Sequence, residues 1–281
     1  MSMENNARAA PGGAGVSDFA TALRHWRGKR GLSQLALSMA GAVSQRHISF
    51  LESGRAQPSR DLIVRLGTAL EIPLRHRNLM LLAAGFAPAY AERKLADPEL
   101  AVVRQALAFM LDSHAPFPAL VIDRLWNLQM ANLPATRLIR WLLAMPDTVT
   151  IPTDGTVNVL RLMLDPDGLR RYLVNWREVC ADMLHWIRRE AMSDGPGSAA
   201  TVLLAELTAL AGAEAQGDAD ERGTLPFLSV VLQKDGVTLN LFTTIATLGT
   251  PRDVTLHELR IESFFAADAA TRAWFAAGGT M

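Results

Sequence analysis

The sequence predicts an α+β protein in two parts: a five-helix bundle with helix-turn-helix geometry, then an antiparallel sheet of about five strands with helices inserted into it. Three observations carry this reading. Up to about residue 85, apolar residues recur at helical spacing and are punctuated by Ser caps and Gly stops. Beyond residue 115 the pattern turns to short alternating runs, two of them joined by Lys234-Asp235-Gly236, where Asp-Gly favours a hairpin. The chain has no net charge, yet residues 17–85 carry ten Lys or Arg against four Asp or Glu, a net +6, and the rest of the chain is correspondingly acidic. A basic block ahead of an acidic one reads as a nucleic-acid module joined to something else.

The elements follow in order. Residues 1–16, rich in Ala, Gly and Asn, read as disordered, and 17–85 as the helical domain. Phe19, Leu23, Trp26 and Arg30 share one face of a first helix, which Gly31 closes. Ser33 caps a second helix with Leu35, Leu37 and Ala40 turned inward or sideways, and Ser44 caps a third, ended by Gly54. Pro58-Ser59 opens a fourth helix running to Leu70, and Pro73 a fifth running to Ala84. Residues 86–98 (FAPAYAERKLADP) read as a linker, and 99–281 as the second domain. There a helix from Glu99 to Ser113 precedes two short strands around a turn at Asp123-Arg124. Helical patterns cover Pro134–Ala144, Asp167–Glu190 and Ala199–Ala211, so the helices fall between the second and third strands. A polar loop, GAEAQGDADERG, leads to three strands within LPFLSVVLQ, VTLNLFTTIATL and LHELRIESFF.

The third helix, within SQRHISFLESGR, carries the chemistry of the first domain. Ile48 and Leu51 point to the core, whereas Gln45, Arg46, His47 and Ser49 offer hydrogen-bonding side chains to a DNA major groove. Gln pairs with adenine and Arg with guanine edges. Ser44 and Gln34, at helix starts, and Arg55, just past the third helix, suit phosphate contacts. Phe50 fits two roles, contact with a thymine methyl or partial core. A helical bundle used for protein contacts is the plainer alternative.

The second domain has no phosphate-cradling Gly loop, HExxH, GxSxG or Cys/His cluster, so neither catalysis, a resident cofactor nor a metal is expected. Cys180, the one cysteine, reads as a small buried hydrophobe. No apolar run reaches membrane-spanning length and no signal segment opens the chain, which points to the cytoplasm. Met163, Trp176, Met183 and Phe242 are candidates to line an apolar pocket, with ordinary core as the alternative for each.

Two stretches resemble known families. RGLSQLAL and VSQRHISFLESGRAQPSRDLIVRLGTALEIP resemble lambda-repressor-like, xenobiotic-response-element-type helix-turn-helix domains over about Phe19 to Pro73. The resemblance implies an Arg27–Glu52 pair locking the first helix to the third. It departs at the turn, where Ala42 stands for the usual Gly and Gly41 lies one position early, so a rearranged turn is expected. PFPALVIDRLWNLQMANLPATRLI, TVNVLRLMLDPDGLRRYLVNWREV and LFTTIATLGTPRDVTLHELRIESFFAAD are similar to the MmyB-like ligand-binding domain of transcription regulators, over about Pro116 to Asp268. That implies a PAS-like sheet and a bound apolar molecule such as a fatty acid. A fatty-acid carboxylate would need a donor, for which Arg161 is the first candidate and Arg137 and Arg140 the alternatives. The expected partners are a double-stranded DNA operator, a small apolar ligand and a second copy of the chain, with no membrane. A second domain that binds only protein is the competing expectation.

Overall fold

The computed structural model of the chain describes residues 13–194, 197–212 and 229–279. The polar loop after Gly212 and the first residues of the strand read after it lie outside these. The chain divides into two compact units, Met1–Glu92 with Thr250–His257, and Arg93–Gly249 with Glu258–Met281.

The first unit holds α1 (Gly13–Lys29), α2 (Gln34–Ala40), α3 (Gln45–Glu52), α4 (Arg60–Ala69) and α5 (Leu74–Ala83). Helix α1 begins inside the stretch 1–16 that composition reads as disordered. Both predicted Ser caps form, and Ser59 caps α4 as well: the Ser33, Ser44 and Ser59 side chains accept from the amides of Ala36, His47 and Leu62 at 3.0, 3.1 and 3.3 Å. Each satisfies one amide that the helix itself leaves without a partner. Phe19, Leu23, Leu37, Ile48, Leu51, Ile63 and Leu66 are fully buried and close one core between the helices. Leu35 is turned outward instead, 54% exposed.

The turn between α2 and α3 does not spare Ala42 a left-handed backbone. Ala42 takes the left-handed conformation itself (φ 50°). Gly41 serves another purpose, because a Cβ there would lie 2.6 Å from Leu66 Cδ2 of α4. The two positions thus split tasks: Gly41 permits close packing and Ala42 supplies the bend.

Part of the predicted linker is fastened down. Asn78 of α5, buried, accepts from the amides of Ala89 and Tyr90 and donates to the Tyr90 carbonyl at 2.8 Å. Next to it the Val254 amide donates to the Ala91 carbonyl at 2.8 Å, which accounts for Thr250–His257 grouping with this unit.

The second unit runs α6 (Ala101–Ser113), β1 (Ala119–Ile122), β2 (Leu128–Ala131), α7 (Leu133–Leu143), α8 (Val159–Leu164), α9 (Trp176–Asp194), α10 (Ala199–Ala211), β3 (Ser229–Lys234), β4 (Val237–Ala246), β5 (Arg260–Ala266) and α12 (Ala269–Ala276); α11 (Val254–Glu258) falls between β4 and β5. The sheet is antiparallel throughout, in the order β2-β1-β5-β4-β3, so the last strand is the central one. Leu120 and Ile122 of β1, Leu232 of β3 and Leu239 and Leu241 of β4 join Leu138, Leu160, Val179, Ile187 and Leu203 of the inserted helices in one core. Lys234 closes the far end of α7: its ammonium donates to the carbonyls of Trp141 and Leu142 and lies 5.7 and 5.5 Å from the Trp141 and Tyr172 ring centroids.

The single helix read over Asp167–Glu190 is broken. Arg170–Tyr172 forms a 3-10 turn and α9 starts only at Trp176. The intervening backbone is drawn toward β3, where Leu173 bridges Leu232 and the Val174 amide donates to the Val231 carbonyl at 2.8 Å. Asn175 adds side-chain bonds to the Ser229 carbonyl and the Val231 amide. Helices α8, α11 and α12 were not anticipated; α8 is a six-residue helix capped by Asn158.

Candidate nucleic-acid interface

Helix α3 presents two faces. Ile48 and Leu51 are fully buried, and Gln45 and Arg46 are exposed, with His47 and Ser49 half-buried beside them. The Arg46 guanidinium lies over the Phe50 ring at 5.2 Å, so Phe50 serves as a half-buried shelf beneath Arg46. Gly54 (φ 71°) ends the helix and the Arg55 amide returns to the Phe50 carbonyl at 2.8 Å, leaving Arg55 exposed just beyond.

What fixes α3 on the bundle is Glu52, 4% exposed. Arg27 of α1 donates to it twice, Nε to Oε1 at 2.5 Å and Nη2 to Oε2 at 2.9 Å, and uses Nη1 on the Leu32 carbonyl. This is the forked pairing implied for Arg27 and Glu52. Burial alone would raise the Glu52 carboxyl, but hydrogen bonds from Arg27 and Gln34 and the charges of Arg27 and Arg24 outweigh it and hold it below its ordinary value. The same hydrogen bond holds Arg27 above its own ordinary value, against the effect of burial. Gln34 gives its amide nitrogen to Glu52 Oε2 at 2.8 Å, so this group braces the lock rather than standing free for phosphate.

Of the residues proposed for an apolar pocket, Met163 and Met183 lie in one core with Trp176 packed against it, and Phe242 lies apart. Met163 and Met183 are buried in the core with Cys180, whose thiol is pushed up by burial. Trp176, at the start of α9, lies under Arg170 at 3.9 Å. Phe242 alternates to the sheet face opposite Leu241 and stacks on Phe265 at 5.1 Å. Arg161 is exposed and ion-paired with Glu206, and Arg140 donates to the Val149 carbonyl. Arg137, by contrast, lines a cavity of about 470 Å³ between the end of α6, the start of α7 and the end of α12.

One polar residue escaped the sequence reading. Glu262, in the central strand, is 3% exposed and pairs across to Leu120 and Ile245. Burial pushes its carboxyl up to about 7, opposed by a hydrogen bond from Thr243. The signal was present as a lone acid within the alternating run RIESFF. Among the described residues no group of three or more His, Cys, Asp or Glu is arranged to hold a metal ion, and no helix is long and apolar enough to cross a membrane.

A capped, exposed polar helix locked onto a five-helix bundle defines a helix-turn-helix regulator, and residues 23–76 match the helix-turn-helix family model. Residues 103–277 match the model for the MmyB-like transcription regulator ligand binding domain, and the chain belongs to this family. No curated protein matches it. Among solved structures it is similar to the restriction-modification controller protein C.AhdI from Aeromonas hydrophila, at 31% identity over 23% of this chain and 98% of that one, with a TM-score of 0.22. It is also similar to the clp gene regulator ClgR from C. glutamicum, at 30% identity over 27% of this chain and 96% of that one, with a TM-score of 0.24. An RNA-binding Light-Oxygen-Voltage receptor aligns over 92% of this chain and 61% of its own, at 14% identity and a TM-score of 0.26.

Proposed function

We propose that the protein is a cytoplasmic, sequence-specific transcription regulator that binds a palindromic operator as a homodimer and whose affinity for that operator responds to a small apolar ligand, a fatty acid being one candidate. The observation that carries the DNA half is the α3 face: Gln45 and Arg46 stand in solvent on a helix whose opposite side is fixed by Ile48, Leu51 and the Arg27–Glu52 lock. Gln45 and Arg46 read base edges, and Ser44 and Arg55 hold phosphates. Two identical units present two such helices to half-sites about one turn of DNA apart. The ligand acts by binding the DNA-competent and incompetent arrangements with different affinities.

Selection of an operator from random DNA, followed by gel shifts, tests the reading. Arg46→Ala and Gln45→Ala should each weaken the selected site by roughly 1–3 kcal/mol and relax preference at one position. Unchanged affinity and preference in both variants would sink it.

A second reading is a DNA-bound scaffold whose second unit binds protein. It is favoured by α6, where Val102 and Phe109, seven apart, are 76% and 74% exposed beside Met110. Native mass spectrometry of the purified protein separates the two: a co-purified small molecule supports the sensor and a bound protein the scaffold.

A further inference from the structure

We propose that the cavity between α6, α7 and α12 binds a small planar aromatic carboxylic acid, with its carboxylate on Arg137 and its ring against Trp274. The proposal rests on reading the second unit as a ligand domain and adds the place and the chemistry.

The cavity, about 470 Å³, is of the size small molecules occupy. Pro116, Leu133, Pro134, Leu138, Trp274 and Phe275 give it mainly apolar walls. Trp274 is braced before any ligand arrives. Its ring centroid lies 5.0 Å from that of Trp141 and 4.9 Å from that of Phe275, and a Cβ on Gly279 would come within 3.1 Å of it. A ring fixed in this way stacks on a flat ligand with little ordering of its own.

The charge comes from Arg137, one turn into α7 and exposed. Arg140, Arg161 and Arg170 of the same unit each donate to a carbonyl or a carboxylate. Among the described residues none hydrogen-bonds or ion-pairs with Arg137, so its planar fork is available to a carboxylate. Asp112 lines the same cavity. Its negative charge repels an acid and assigns the carboxylate to the Arg137 end. A long acyl chain fits less well than a ring, because the cavity is open and rimmed by exposed Ala115, Pro116 and Leu133, which would leave much of the chain in water.

The test titrates the full chain with 2-naphthoate by calorimetry, alongside 2-naphthalenemethanol and dodecanoate, and measures operator affinity on the same preparations. The naphthoate should bind more tightly than either comparator. Arg137→Gln, at an exposed position, should weaken it by roughly tenfold or more, and Asp112→Asn should strengthen it. Equal affinity in Arg137→Gln, weakening in Asp112→Asn (the mark of a zwitterionic ligand), or tighter binding of dodecanoate would each overturn the proposal. Absent naphthoate binding with operator binding intact removes this site alone. Absent operator binding with naphthoate bound removes the regulator reading and leaves the site.

Discussion

At the scale of single residues, the helix-turn-helix was legible because its signals are local. A Ser cap needs only the next few amides, and Ser33 and Ser44 form theirs where the spacing put them. Ala42 was misjudged because left-handed backbone was weighed alone, without the close approach of Leu66 to Gly41. A Cβ at Gly41 would crowd Leu66 and the Leu37 carbonyl, so glycine stays there and Ala42 accepts the strain. Ala42→Gly should therefore raise stability by roughly 0.5–1 kcal/mol and Gly41→Ala should lower it, as read by urea unfolding of the two variants. Glu262 gives the converse lesson, since its alternation was visible but the depth of the central strand was not. Its carboxyl, at about 7 when folded against an ordinary 4.5, keeps a proton that the unfolded chain releases. The sign follows: this group's contribution is full below about pH 4.5, declines as pH rises to about 7, and is flat above. Glu262→Gln should remove a decline of about 3 kcal/mol between pH 4 and 8, measured as the difference in unfolding free energy from the parent chain.

At the scale of elements, the longer helices and the strands were readable, but the short helices α8, α11 and α12 and most boundaries were not. The strand pairing at Asp235-Gly236 was announced by its turn, and Leu232, Leu239 and Leu241 by alternation. The same alternation puts Phe242 on the opposite face, out of reach of Met163 and Met183. Trp176 could not be placed as the start of α9, because β3, more than fifty residues later, is what holds the preceding backbone extended. Asn132 is another long-range joint. Buried, it accepts from the amides of Ala119 and Ala135 and donates to the carbonyls of Leu111 and Phe117, tying α6, β1 and α7 together at 2.9–3.0 Å. Asn132→Ala leaves these buried groups without partners and should destabilise the second unit by roughly 3 kcal/mol or more, seen as a lower melting midpoint.

At the scale of the whole molecule, the charge split was the most informative property of the composition, since the +6 of residues 17–85 belongs to the bundle that displays Arg46 and Arg55. Operator affinity should fall linearly on a log–log plot against salt. Arg55→Gln should weaken selected and random DNA alike and lower the slope by about one, as read by anisotropy at several salt concentrations. Parallel salt dependence in the variant would remove Arg55 from the phosphate contacts. The cavity was less legible because it is made by elements distant in sequence: Asp112, Arg137 and Trp274 line it only after the sheet has brought the last helix back to the first helices of its unit.

Lys234 offers a built-in reporter. The chain has three lysines, of which Lys29 and Lys94 are exposed. The Lys234 amine is committed to two carbonyls at the end of α7 and flanked by Trp141 and Tyr172. An acylating reagent needs an accessible amine, so acetic anhydride should modify the exposed Lys29 and Lys94 well before Lys234. The lag of that third acetylation, followed by peptide mass spectrometry, would time the release of α7 from β3 with no substitution introduced. A cavity ligand that tightens α7 would lengthen the lag.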